Sequence, residues 1–433
     1  MATTQLIRGT LYHYPHSTNQ YQSDLQSFKD GAMLIKDGKI ADLGDFSALK
    51  ARYADVDVID YSGRVIIPGL IDTHLHFPQT EIIASYGEQL LTWLDNFTFP
   101  AERQFEDADF ANTMADAFLT ECLKNGTTTG LVYSSVHKVA TEALFEAASQ
   151  RNMLTVAGKV CMDRHCPDWL QDTPESAQRD SADLIDRYHG KGRNYYALTP
   201  RFAPTSSSAQ MAALGELAQQ YEDVFIQTHL SENHDEIAWV KTLYPECEDY
   251  LAVYEKYHMV RPRAVYGHCI HLSDSEWQRM ADSGAIAAFC PTSNLFLGSG
   301  LFEMSKAEKF GVPVTLATDV GGGTSFNLLR TLGEAYKICQ LRNYSLSALQ
   351  GFYMLTQGAA DSLGLSNQIG NLNPGSDADF VVLNPRFDAL TQLRIDADST
   401  CEDTLFALTM LGDDRATVAT YVAGQPQYQQ QEL

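Results

Sequence analysis

No C-x-x-C pair occurs among the eight cysteines of this chain, at positions 122, 161, 166, 247, 269, 290, 339 and 401. That removes a redox dithiol motif and a cysteine-built zinc site, and leaves reduced, structural thiols. Basic residues are also scarce: 31 Lys and Arg stand against 55 Asp and Glu, a net charge of −24. A chain so acidic lacks the clustered cations that hold a nucleic-acid backbone, so nucleic acid is excluded as a partner. No apolar stretch approaches the roughly 20 residues that span a bilayer, which excludes membrane insertion. Residues Met1 to Thr10 lack the basic region and apolar core of a secretory signal, so the expected location is the cytoplasm. A small, uncharged or nucleobase-like ligand meets none of these obstacles.

What remains reads as an ordinary soluble enzyme, 44% hydrophobic and 20% charged over 433 residues, long enough for one large domain and a smaller one. Eight short apolar runs alternate with amphipathic helical stretches: Arg64 to Ile71, Thr128 to Tyr133, Leu154 to Cys161, Tyr195 to Pro200, Val224 to His229, Arg263 to His268, Ala285 to Cys290, and Pro313 to Asp319. Helices are predicted at Ala108 to Asn125, stopped by Gly126, and at Val139 to Arg151 and Ser208 to Tyr221. Eight βα units predict an α/β fold of the (β/α)8 TIM-barrel type. The flanks differ, with strand-like pieces at both chain ends and an Asp37-Gly38 hairpin signal. Residues 1–67 and 374–433 are therefore expected to form one small β-sandwich domain, and residues 68–373 the barrel.

Polar residues with metal-ligating chemistry fall at the predicted strand ends, where barrels of this kind carry their reacting groups. His74 and His76 close the run Val65-Ile66-Ile67-Pro68-Gly69-Leu70-Ile71-Asp72-Thr73-His74-Leu75-His76. Alternate side chains of a strand share a face, so both imidazoles aim at one point. His229, His268 and Asp319 end the fifth, sixth and eighth runs. Imidazoles with a carboxylate suit Zn²⁺, with Fe²⁺ as second choice, and a water in the open position. Each residue also has an ordinary reading: a satisfied polar group for His229, a hydrogen-bonded core histidine for His268, a helix N-cap for Asp319. Five such residues at one end of the predicted strands favour the metal. Coordination lowers the pKa of a bound water to around 7, which makes hydrolysis the default chemistry. Glu232, three residues after His229, is placed as a proton shuttle, or else as a first-turn helix carboxylate.

These motifs resemble the amidohydrolase superfamily over nearly the whole chain. The string from Pro68 to His76, His229-x-x-Glu232, Tyr266-Gly267-His268-Cys269 and Thr318-Asp319 are similar to its mononuclear deaminase branch, which has a barrel with a β-sandwich built from both termini. His76-Phe77-Pro78-Gln79, the string Trp93-Leu94-Asp95-Asn96-Phe97-Thr98-Phe99-Pro100-Ala101-Glu102, Thr199-Pro200-Arg201-Phe202-Ala203-Pro204 and Asp319-Val320-Gly321-Gly322-Gly323 are the more specific part, and resemble purine-base deaminases within that branch. The resemblance implies one zinc per chain held by His74, His76, His229 and Asp319, with His268 bonded to the nucleophilic water or coordinating. It implies that Gln79, Arg201 and Phe202 contact the purine beside His229, Glu232 and Asp319. The implied reaction is attack on guanine C2 with release of ammonia, in which Glu232, His268 and Asp319 act on the water and the intermediate. A homodimer is implied as well.

Arg201 offers donors and Gln79 both donors and acceptors to a flat heterocycle, and Phe202 can stack on it. Trp93 reads first as a core aromatic under a loop, and residues Tyr86 to Glu102 as part of the pocket wall. Thr199-Pro200-Arg201 stands where dinuclear relatives carry a bridging lysine, and Lys159, on the third strand, is expected to be structural or to reach solvent. The competing expectations are a deaminase of another ring, such as 8-oxoguanine, a triazine or an adenosine-type nucleoside, and a metal-free protein of the same fold. Compact zinc deaminases are excluded by the missing C-x-x-C. The other eight of the twelve histidines are given no function.

Overall fold

The structure, a computed structural model, describes residues 4–86, 89–396 and 398–431. Its strands, in chain order, are β1 (Thr4–His13), β2 (Gln26–Lys36), β3 (Lys39–Asp45), β4 (Val58–Pro68), β5 (Leu70–His76), β6 (Thr127–Tyr133), β7 (Leu154–Gly158), β8 (Val160–Cys161), β9 (Asn194–Pro200), β10 (Phe225–Leu230), β11 (Ala264–His268), β12 (Ile286–Phe289), β13 (Val314–Leu316), β14 (Phe380–Leu383), β15 (Thr417–Val422) and β16 (Gln425–Gln429).

Eight parallel strands, β5-β6-β7-β9-β10-β11-β12-β13, form the predicted barrel, with β8 paired to β9. Thr73 of β5 closes the ring, its hydroxyl 2.7 Å from that of Thr315 and 3.2 Å from the Leu316 carbonyl oxygen. Side chains alternate as the pleat requires. On β6, Leu131 joins Ile71, Val156, Ala197 and Val265 in one buried cluster. Its neighbour Val132 packs in a second cluster with the helical residues Leu119 and Leu144. The helices lie where periodicity places them, at Ala108–Lys124, Lys138–Gln150 and Ser208–Gln220. Asp107 caps the first, and Gly126 takes φ +83° beyond its end, a conformation glycine tolerates.

Strands from both chain ends form a seven-stranded mixed sheet in the order β16-β15-β14-β4-β1-β2-β3. Asp37 and Gly38 turn between β2 and β3 with φ of 54° and 80°, the left-handed pair that a two-residue hairpin needs. Arg193 fastens this sheet to the barrel, its guanidinium buried between Asp377 and Asp379.

The predicted first barrel strand, Arg64 to Ile71, divides between the two sheets. Val65 to Pro68 pair with β14, and the barrel strand starts at Leu70. The break is physical: Pro68 has no N–H to donate, and the Gly69 N–H goes to the Asp379 carbonyl at 2.9 Å. A Cβ on Gly69 would lie 2.0 Å from Thr128 Oγ1, so only glycine fits the crossing. Among the described residues no helix is long and apolar enough to cross a membrane.

Candidate active site

At the C-terminal end of the barrel, His74, His76, His229 and Asp319 bring four ligand atoms within 4.8 Å of one another. β5 supplies the first two through its two-residue repeat, and β10 supplies His229 one residue before its end. Asp319 lies three residues beyond β13 at φ 52°, its N–H donated to the His74 carbonyl at 2.9 Å. It is not a helix N-cap, since the next helix, Leu328–Leu341, is capped by Asn327. Asp319 Oδ1 stands 3.3 Å from Nε2 of both His74 and His76. Two ligands on a tetrahedral zinc, each at 2.0–2.1 Å, stand about 3.4 Å apart, so these two spacings fit such an ion.

The protonation states fit as well. Burial lowers the pKa of His74, takes that of His76 down to about 3, and drives that of His229 well below its usual value. Burial opposes the Asp319 charge, but the imidazoles of His74 and His76 outweigh it and keep the carboxyl well below its ordinary range. Neutral imidazoles and an ionised carboxylate are the forms that ligate. Both ring nitrogens of His74 and Nδ1 of His76 are buried without a hydrogen-bond partner. His229 Nδ1 donates to the Arg201 carbonyl at 2.7 Å, which turns its Nε2 lone pair inward. Cys290 forms a second grouping with His74, His268 and Asp319. Burial raises its thiol pKa well above the usual value, and the thiol donates to the Ala288 carbonyl, so the His229 set fits an ion better.

His268 Nδ1 bonds Asn294 Oδ1 at 2.9 Å, and its Nε2 faces Glu232 Oε2 at 3.3 Å and Asp319 Oδ2 at 3.8 Å. Glu232 also accepts from Ser299 Oγ at 2.8 Å. Burial, with Asp319 nearby, pushes its pKa up to about 8. It precedes Asn233, the cap of helix His234–Leu243, and so is not a first-turn carboxylate. Instead Glu236 of that helix accepts the backbone N–H groups of Glu232 and Asn233 at 3.0 and 3.1 Å and bonds Tyr250 Oη at 2.7 Å.

A cavity opens beside these groups, and Gln79, Arg201, Phe202, Trp93, Glu232 and Asp319 help line it. Every expected site residue thus reaches one place. Trp93 is buried among Leu90, Leu94 and Phe202 yet also lines the cavity, its indole N–H unpaired. Gly87 and Glu88, within the expected pocket-wall stretch, lie outside the described residues. Lys159 is buried and paired with Asp172, the structural role of the two expected. Glu102, Glu236, Ser299 and Asn294 were not singled out from sequence. Of these, Asn233-x-x-Glu236 carried a capping pattern, and Glu102 closed the string from Trp93 without its own role showing.

Parallel strands arranged around such a buried His/Asp cluster define a barrel enzyme with a candidate metal site. The amidohydrolase family profile matches residues 65–426, and the chain belongs to that family. A bacterial imidazolonepropionase-like composite domain also matches at residues 31–55. Guanine deaminase of Escherichia coli K12 is 48% identical over 431 residues, covering 99% of this chain and 98% of that protein. The solved E. coli guanine deaminase superposes with a TM-score of 0.97 over 99% of this chain and 100% of that one. The C. acetobutylicum guanine deaminase, with guanine bound in its active site, is 30% identical with a TM-score of 0.89, covering 98% and 100%. Within the amidohydrolases, the chain's place is with the guanine deaminases.

Proposed function

We infer that this chain is a guanine deaminase, converting guanine and water to xanthine and ammonia. The observation that carries this reading is one cavity with two chemistries. A metal-type cluster and Glu232 stand beside Gln79, Arg201 and Phe202, whose donors, acceptors and ring suit a flat oxo-amino purine.

His74, His76, His229 and Asp319 would hold one zinc ion. When bound, it supplies the Lewis acidity that makes water a nucleophile at neutral pH. Glu232 takes the proton of the attacking water and delivers it to a ring nitrogen, which makes C2 electrophilic. His268, its Nδ1 engaged by Asn294, presents Nε2 as a hydrogen-bond acceptor to the same water. A second transfer through Glu232 protonates the amine, which leaves as ammonia. Arg201 donates to the carbonyl side of the ring, Gln79 offers both senses of hydrogen bond, and Phe202 walls the plane.

The test is ammonia release from guanine, 8-oxoguanine, adenine, cytosine and a triazine in parallel, with xanthine measured from guanine. Preference for guanine is expected. Preference for another ring would discard the roles of Gln79 and Arg201, and no turnover with no bound metal would discard the enzymatic reading.

A further inference from the structure

One carboxylate ties the base-facing residues together. Glu102 lies in helix Phe99–Arg103, fully buried. Its two oxygens accept from Arg201 Nη1 at 2.8 and 2.9 Å, and Oε1 accepts from Gln79 Nε2 at 3.2 Å. Gln79 Oε1 in turn accepts from the Gly321 N–H at 3.3 Å, two residues beyond Asp319. The Arg201 guanidinium also lies over the Phe99 ring, 5.6 Å from its centre. Glu102 thereby links the segments that follow β5, β9 and β13.

We propose that Glu102 is a positioning residue for base recognition, acting through Arg201 and Gln79; this rests on the guanine reading above. An unrestrained glutamine amide can present either end to a ligand. Here the Glu102 carboxylate takes a hydrogen from Nε2 and the Gly321 amide occupies one lone pair of Oε1. One N–H and one lone pair remain, in a fixed sense. Arg201 is held in the same way: Nη1 is committed to Glu102, so Nε and Nη2 supply the donors for the base. Glu102 also balances the guanidinium charge, which matches the wall to a neutral heterocycle and not to an anion.

The test is a double-mutant cycle on the zinc-loaded full chain with guanine as substrate. Glu102→Gln keeps the shape but removes the charge and the paired acceptor. The expected result is KM for guanine raised about 10- to 100-fold, the range for losing hydrogen bonds to charged groups, with zinc per chain unchanged and kcat moved less than KM. In an Arg201→Met background, where only the Gln79 link to Glu102 remains, Glu102→Gln should change kcat/KM clearly less than it does with Arg201 in place, since residues acting as a unit are not additive. A wild-type KM in Glu102→Gln, or an undiminished effect in the Arg201→Met background, would overturn the proposal. If Glu102→Gln does not fold, Glu102→Asp, which shortens the reach and keeps the charge, runs the same cycle against the same thresholds. Failure of the unmodified chain to turn over guanine would strike the reading of the whole site. Normal turnover with an unresponsive Glu102→Gln would strike this proposal alone.

Discussion

Gly267→Ala adds one methyl group to β11 and is expected to disable the metal cluster without replacing a ligand. A Cβ at Gly267 would stand 2.5 Å from His74 Cε1, 2.8 Å from Nδ1 and 3.2 Å from Nε2, whereas ordinary contact begins at 3.4 Å. The imidazole must therefore retreat by about 1 Å, and metal bonds tolerate about 0.2 Å. It has little room. His74 is fully buried, with Tyr133 and His229 both 4.7 Å away and His268 5.4 Å away, ring centre to ring centre. Loss of support around a metal ligand alone weakens binding about 10- to 100-fold, and a direct push on the ligand should do at least as much. Overpacking adds a stability cost of about 1–3 kcal/mol. Metal content after equilibration against graded chelator, with circular dichroism as the fold control, reads the effect. A folded Gly267→Ala chain with wild-type zinc affinity and turnover would refute the placement of His74.

Three further outcomes are expected. Glu232→Gln should lower kcat by about 10²–10⁴ with metal retained, the range for losing a general acid–base group; normal turnover would remove Glu232 from the proton path. Chelation should abolish turnover and lower the thermal midpoint, because the orphaned imidazoles lose the ion that satisfies them, and added zinc should restore both; activity persisting in demonstrably metal-free protein would contradict this. His13 is buried, with Nε2 bonded to Gln26 Oε1 and Nδ1 accepting from the Leu372 N–H, and burial lowers its pKa from 6.5 to about 4. The folded state thus resists a proton the unfolded chain accepts, so this contribution is complete above about pH 6.5 and is lost as pH falls toward 4, up to about 3 kcal/mol. Denaturation of wild type and His13→Gln across that window should show the difference, and parallel curves would contradict it.

Much of this was legible in sequence because period and punctuation carry it. The eight runs, the Asp37-Gly38 turn and the stop at Gly126 are local signals. So is the convergence of His74 and His76, which follows from the strand repeat. The strand break at Gly69, inside the run Arg64 to Ile71, was not legible. Val65 to Ile67 and Leu70 to Leu75 are buried in both sheets, so hydrophobicity runs on unbroken where the chain changes partners. Glu102 was hidden for another reason: its partner Arg201 lies 99 residues away, and one acidic residue in an aromatic stretch looks like any loop carboxylate. Trp93 shows the limit of a choice between core and site, since it belongs to an apolar cluster and to the cavity wall at once.

A zinc titration of metal-stripped protein, with xanthine formation from guanine followed at each addition, tests the metal site and the reaction together. Guanine turnover should rise in proportion to zinc and level off at one equivalent per chain, the result the proposed single site of four ligands predicts. A plateau at two equivalents, or no xanthine at any loading, would contradict it.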